Sequence, residues 1–240
     1  IKSVVGTRDS IMVYLMRQGL EPLDAFKIME TVRKKNKNLS PEQEALMREK
    51  GVEEWYIESC RKIQYLFPKA HAAAYVTAAI RLGWYKLHEP LAFYAAFLTV
   101  RGEAFDADAA VKGLAAVKAR MAEIRAKGMD RTAQEEDCYT LLQVVGEMLA
   151  RGYKFLPIDL YKSHATKYQI EDGMIRLPFA SLKGVGESAA RALQEASAQG
   201  EYVSVDEVCQ RSGVSKSVAD ALKAVGAMKT LPDTAQLSLF

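Results

Sequence analysis

Around residue 184 the chain sets out donors suited to a phosphate. Leu182-Lys183-Gly184-Val185-Gly186-Glu187-Ser188-Ala189-Ala190-Arg191-Ala192-Leu193 puts two glycines either side of a valine, just before a run of small residues that reads as a helix. Paired glycines let the backbone turn tightly and bare its N–H groups, and a helix N-terminus favours an anion there. Lys183 and Arg191 add positive charge. No side chain in this arrangement reaches a base, so the binding it implies is independent of nucleic-acid sequence. A weaker copy follows in Arg211-Ser212-Gly213-Val214-Ser215-Lys216-Ser217-Val218-Ala219-Asp220-Ala221-Leu222, with Ser215 in place of the second glycine. Two such turns in tandem suit the two strands of a duplex. The plain alternative is a tight helix–helix turn that binds nothing.

Two further groups could meet polyphosphate or a partner. Arg33, Lys34, Lys35 and Lys37 form a dense positive run. Arg61, Lys62, Tyr65, Lys69, His71 and Tyr75 collect where one helix breaks at Pro68 and another begins, so His71 sits where a helix dipole attracts anions. A solvated lysine face and a capping histidine are the bland readings of the same residues. At the far end, Gln236-Leu237-Ser238-Leu239-Phe240 follows a polar stretch. It either packs on its own domain or serves as a linear peptide whose apolar side chains fill a partner's groove.

The elements that must position these groups are mostly helical. Apolar and capping patterns predict helices over residues 10 to 19, capped by Asp9 or Ser10, and 23 to 33, with Leu23, Phe26, Ile28 and Met29 on one face. Ser40-Pro41-Glu42-Gln43 reads as a capping box opening the next helix, and another carries Trp55, Tyr56 and Cys60. A helix from about residue 70 to 88 is apolar nearly all round and is expected to be central. Pro90 opens another. Residues 106 to 127 read as one long amphipathic helix, and 134 to 151 as the next. Residues 166 to 179 alternate in polarity around Asp172-Gly173, a strong hairpin signal. Helices then resume to Met228, and the two Gly-Val turns among them follow the helix-hairpin-helix pattern.

Composition narrows the classes. Over 240 residues the chain is 49% hydrophobic and 26% charged with a formal net charge of +3, which fits a folded globular protein and requires any basic surface to come from local clustering. Cys60, Cys138 and Cys209 stand far apart, without ligand spacing for zinc, and suit a reducing cytoplasm. No apolar run approaches the roughly 20 residues of a membrane span, and no leader is evident. The chain opens at Ile1 and reads as a fragment.

The motifs in this order resemble the C-terminal region of the PolC-type alpha subunit of bacterial DNA polymerase III. Phe67-Pro68-Lys69-Ala70-His71-Ala72-Ala73-Ala74-Tyr75 is similar to the fingers signature of C-family polymerases, Tyr153 to Leu160 followed by the hairpin and glycine turn keeps the family's order, and Gln236 to Phe240 resembles its clamp-binding pentapeptide. The resemblance covers essentially the whole chain. It implies a mainly α protein: a helical fingers domain over residues 1 to 152, a small α+β duplex-binding region over 153 to 230 with the β-hairpin and tandem helix-hairpin-helix motifs, and a clamp-binding tail over 231 to 240. Lys69 and His71 would face the incoming nucleotide's triphosphate, with Tyr65, Arg8 and Lys34 as weaker candidates. Lys183, Gly184, Val185, Gly186, Ser188, Arg191, Gly213, Ser215 and Lys216 would hold primer-template DNA, and Gln236, Leu237, Leu239 and Phe240 the beta sliding clamp. The family's magnesium ions would be held by palm carboxylates upstream of this segment. The only Asp-x-Asp spacing here, Asp106-Ala107-Asp108, reads as helix capping, so no catalytic residue is assigned and the segment alone is expected to be inactive. The other classes kept open are a non-enzymatic helix-hairpin-helix module of a repair or recombination protein and a helical interaction protein that binds no nucleic acid.

Overall fold

The computed structural model describes residues 4–34 and 38–234. The chain divides into two compact units, Ile1–Gly83 and Trp84–Phe240. It is mainly helical with one three-stranded sheet.

In the first unit, α1 (Arg8–Arg17), α2 (Pro22–Val32), α3 (Pro41–Glu49) and α4 (Glu54–Lys62) enclose a core of Ile11, Leu15, Ile28, Met29, Met47, Tyr56 and Ile57. Tyr14 stacks on Tyr56 at 4.2 Å between ring centroids. The capping box at Ser40 and Gln43 forms as the sequence predicts. Two local expectations change. Thr7, not Asp9 or Ser10, is the N-cap of α1, with Ser10 as its reciprocal partner. On α2 the buried positions are Ala25, Ile28, Met29 and Val32, and Leu23 and Phe26 are exposed. A 3.6-residue stripe accommodates either set, and only the packing partner decides between them.

α5 (Lys69–His88) runs across the division between the units and buries none of its residues. Tyr75, Val76, Ile80, Leu82, Trp84, Tyr85 and Leu87 are all exposed. The expectation of a central helix is therefore not met within this chain. An all-round apolar composition says that a helix suits burial, but not that its cover lies in the same stretch of sequence.

The second unit begins its core with α6 (Pro90–Arg101). What reads as one helix over 106 to 127 is broken by Gly113, at φ 97°, into α7 (Ala107–Lys112) and α8 (Leu114–Ala126). α9 (Ala133–Ala150) follows behind a Thr132 capping box. Tyr94, Leu98, Leu142, Val145 and Met148 from these helices share one continuous core with Ile175, Phe179, Leu193, Val208 and Leu222. The boundary expected at residue 152 thus falls inside a shared core, because the sheet packs its apolar face on the helices before it.

In that sheet β3 (Met174–Arg176) lies between β1 (Phe155–Leu156), parallel, and β2 (Gln169–Glu171), antiparallel. The predicted β2–β3 hairpin forms, with Asp172 at φ 50° and Gly173 at φ 74° in its two-residue turn. Arg176 is buried and ties the strands together. Its guanidinium forks onto Glu171 at 2.8 Å twice and donates to the Pro157 carbonyl at 2.7 Å. Hydrogen bonds from Arg176, then Lys162, pull the Glu171 carboxyl down to about 2. After the sheet come α10 (Glu187–Ser197), α11 (Val205–Ser212) and α12 (Lys216–Ala224). No helix among the described residues is long and apolar enough to cross a membrane.

Candidate nucleic-acid interface

Each glycine turn is built the same way. Gly184 stands at φ 88° and Gly213 at φ 67°, a region that costs an L side chain roughly 1–2 kcal/mol. The valine after each is buried, 6% exposed for Val185 and 9% for Val214, and anchors the turn in the core. The next residue swings out as the helix N-cap, Gly186 at φ −73°, ψ 164° and Ser215 at φ −70°, ψ 158°. One turn into each helix Ala190 and Ala219 are buried, and Leu193 and Leu222 are fully buried. The echo read from the sequence is thus a structural repeat. The first copy is preceded by a single 3₁₀ turn over Phe179–Ser181, whereas the second is preceded by α11.

This geometry leaves backbone donors facing outward. Neither helix start has a side-chain cap, and among the described residues nothing accepts the N–H groups of Gly186, Glu187 and Ser188, or of Ser215, Lys216 and Ser217. Gly186, Ser188, Ser215 and Lys216 are all exposed. Three open N–H groups at the positive end of a helix, twice over, are a set of donors chemically suited to an anion. The charges around the two turns differ. Lys183 and Lys216 are exposed and have no ion-pair partner among the described residues. Arg191 instead donates to Glu187 at 2.5 and 3.0 Å, so its charge is already matched. The serine hydroxyls of the second turn, Ser215 and Ser217, lie 2.8 Å apart.

At the break before α5 the first unit assembles an exposed row of rings. Tyr65 meets Phe67 edge-on at 4.8 Å, Phe67 stacks on His71 at 5.1 Å and 5°, and His71 meets Tyr75 at 4.5 Å. Lys69 is exposed beside them. Arg8 stands close through its backbone N–H, which donates to the Phe67 carbonyl at 3.1 Å, and its buried Nε has no partner among the described residues. Sequence reasoning missed the part played here by Asp9, whose carboxylate accepts the Lys69 N–H at 2.6 Å across 60 residues. That hydrogen bond is the main cause holding the Asp9 carboxyl below its usual range. A side-chain cap supplied from another helix leaves no local sequence signal.

Other basic residues read as candidates are already paired. Arg61 binds Glu44 at 2.6 Å and Glu54 at 3.4 Å, in a network with Arg48, and Lys62 binds Glu58 at 2.9 Å. Lys34 lies 3.5 Å from Glu30, which also takes the fork of Arg33. Lys35, Lys37, Gln236, Leu237, Leu239 and Phe240 lie outside the described residues. Asp106 caps α7 by accepting the Ala109 N–H at 3.0 Å, and Asp108 pairs with Lys112 at 2.6 Å. Among the described residues no three His, Cys, Asp or Glu side chains cluster to hold a metal ion.

Residues 152–237 match the family model of a helix-hairpin-helix motif. Over its full length the chain is 47% identical to the PolC-type DNA polymerase III of Bacillus subtilis, 48% to that of Clostridium perfringens and 46% to that of Lactococcus lactis. The family resemblance carried by the motifs thus extends across all 240 residues. The chain spans 15–17% of the length of these relatives.

The Asp9 cap has a pH signature. Its folded pKa is depressed, so its stabilisation is present above the ordinary carboxylate range and is lost as pH falls through the folded value. Asp9→Ala should cost about 1 kcal/mol at pH 7, the usual worth of a cap. In thermal unfolding the gap between variant and parent should narrow as pH falls through and below the ordinary carboxylate range; a gap that stays constant with pH would contradict the cap.

Proposed function

We infer that this chain is a segment of a PolC-type replicative DNA polymerase, the part that grips the primer-template duplex by its phosphates. The observation that carries the reading is the repeated Gly-Val turn, each copy ending in an uncapped helix start with three open N–H groups. Whole-length similarity to PolC-type polymerases supports it.

Two sets of open N–H donors of one construction suit two strands of one duplex. Backbone donors meet phosphate oxygens that are alike at every base pair, so the grip tolerates any sequence while the polymerase advances. Lys183 and Lys216 add a counterion-releasing charge at each turn. Arg191 serves first to offset Glu187, which would otherwise set a carboxylate beside the incoming phosphate.

The start of α5 is the proposed contact for the nucleotide triphosphate. A 20-residue helix begins there, its Lys69 N–H already taken by the Asp9 carboxylate, so the charge offered to the triphosphate comes from exposed Lys69 and His71 with Arg8 behind. Tyr65 joins through the ring row, and Lys34 is the weakest of the set because Glu30 shares its charge. The complete protein would act as a DNA-directed DNA polymerase, a nucleotidyltransferase, working in the cytoplasm. Its palm and thumb lie outside this segment, and no metal-dependent step is assigned to the present residues. Gln236, Leu237, Leu239 and Phe240 are the proposed tether to the beta sliding clamp, which would raise the local concentration of enzyme at the primer end.

Each of these roles can be measured on the intact protein. Gly184→Val forces a β-branched side chain to φ 88° and should weaken duplex binding to the same degree on unrelated sequences; a sequence-dependent loss would contradict a phosphate grip. Lys69→Ala should raise the barrier for nucleotide use by about 1.5–3 kcal/mol in kcat/KM, the range for a charge-assisted hydrogen bond, and unchanged kinetics would remove Lys69 from the site. Deleting residues 236–240 should abolish clamp binding, and retained affinity would place the tether elsewhere.

A further inference from the structure

Arg211 sits in the last turn of α11, two residues before Gly213, and its guanidinium reaches back to the far end of α10. Nη2 donates to the Ala196 carbonyl at 2.5 Å and to the Gly200 carbonyl at 3.1 Å. Nη1 donates to the Glu201 carbonyl at 3.1 Å and to Glu207 at 3.4 Å. The planar group also covers the Tyr202 ring, 4.2 Å from its centroid. Tyr202 is itself fixed, its N–H donating to the Tyr161 hydroxyl at 2.9 Å and its own hydroxyl lying 3.2 Å from that of Ser197. The Ala196 carbonyl also accepts the Gln199 N–H at 3.2 Å, while among the described residues the Gly200 and Glu201 carbonyls accept from Arg211 alone, so one side chain from the next helix ties down three carbonyls at and just beyond the end of α10.

The position of this contact matters more than its strength. α10 begins at the first glycine turn, and Arg211 lies at the entrance to the second. One side chain therefore joins the helix that carries one set of open N–H groups to the entry of the other. We propose that Arg211 is a positioning residue that holds the two glycine turns at a fixed spacing, so that both reach phosphates of one duplex at once. This rests on the duplex-gripping reading above. Two weak grips held rigidly act as one bidentate site, because the second meets its phosphate at high effective concentration once the first is bound. If the spacing is loose, each grip survives but the gain from pairing falls. Lysine is no substitute, since it lacks the planar fork that bridges three carbonyls while lying flat on a ring.

The test is a cycle of variants in the intact protein, read as affinity for a DNA duplex at fixed salt. Arg211→Met is placed in the parent, in Gly184→Val and in Gly213→Val. The proposal expects a loss of at least about fivefold in the parent and less than about twofold in either single-turn variant, where the advantage of pairing is already gone. An equal loss in all three backgrounds would mean that Arg211 supports the fold alone, and no loss in the parent would mean that the turns need no strut; either result overturns the proposal. If Arg211→Met does not fold, Arg211→Lys is read by the same criteria. If neither glycine substitution changes affinity in the parent, the duplex-gripping reading itself fails and takes the strut with it, an outcome distinct from the other two.

Discussion

A glycine at positive φ followed by a buried valine is the constraint on which the helix-hairpin-helix half depends. Gly184 and Gly213 take the chain through a left-handed turn, and Val185 and Val214 pin that turn to the core. The next residue is then forced outward, with its N–H and the two that follow turned to solvent. No side chain among the described residues returns to cap them. Thr7, Ser40 and Thr132 close the starts of their helices, whereas α2, α4, α6 and α8, like α10 and α12, have no side-chain cap. What sets α10 and α12 apart is the Gly-Val turn before each open start, and the proposed phosphate grip rests on that pairing. The apolar anchors beneath, Ala190, Leu193, Ala219 and Leu222, supply the rigidity that an open cap lacks.

Charge is distributed to the same end. Most basic side chains that a reader of the sequence would collect into a patch are engaged inside the protein. Arg61 and Arg48 lace α3 to α4, Arg176 knots the hairpin, and Arg191 faces Glu187. What remains unpaired at the turns, among the described residues, is one lysine each, Lys183 and Lys216. With a net charge of only +3, bulk attraction offers the proposed duplex binding little, and that binding rests on placed donors.

How much of this was legible depended on whether the signal was local. The Asp172-Gly173 hairpin, the Ser40 capping box, the helix opened at Pro90 and the repeated Gly-Val turn all rest on neighbours within a few residues, and all form. Features that depend on distant partners were hidden. The Asp9 carboxylate caps a helix 60 residues away, and Arg211 satisfies carbonyls on another helix. The exposure of α5 is hidden in the same way, since its apolar residues name no partner. Gly113 was legible but passed over: a glycine within an apolar pattern can be tolerated or can break the helix, and its φ of 97° settles it. The ion pairs of Arg61, Lys62 and Arg191 show why a count of cations overstates a binding surface.

The most direct test of the account is the salt dependence of duplex binding by the intact protein, measured on two duplexes of unrelated sequence. Log affinity against log salt should give the same slope on both. The double variant Lys183→Ala, Lys216→Ala should lower that slope by about 2, because each phosphate neutralised by a lysine releases close to one counterion. A slope that the double variant leaves unchanged, or that differs between the two sequences, would contradict a grip made by the paired glycine turns.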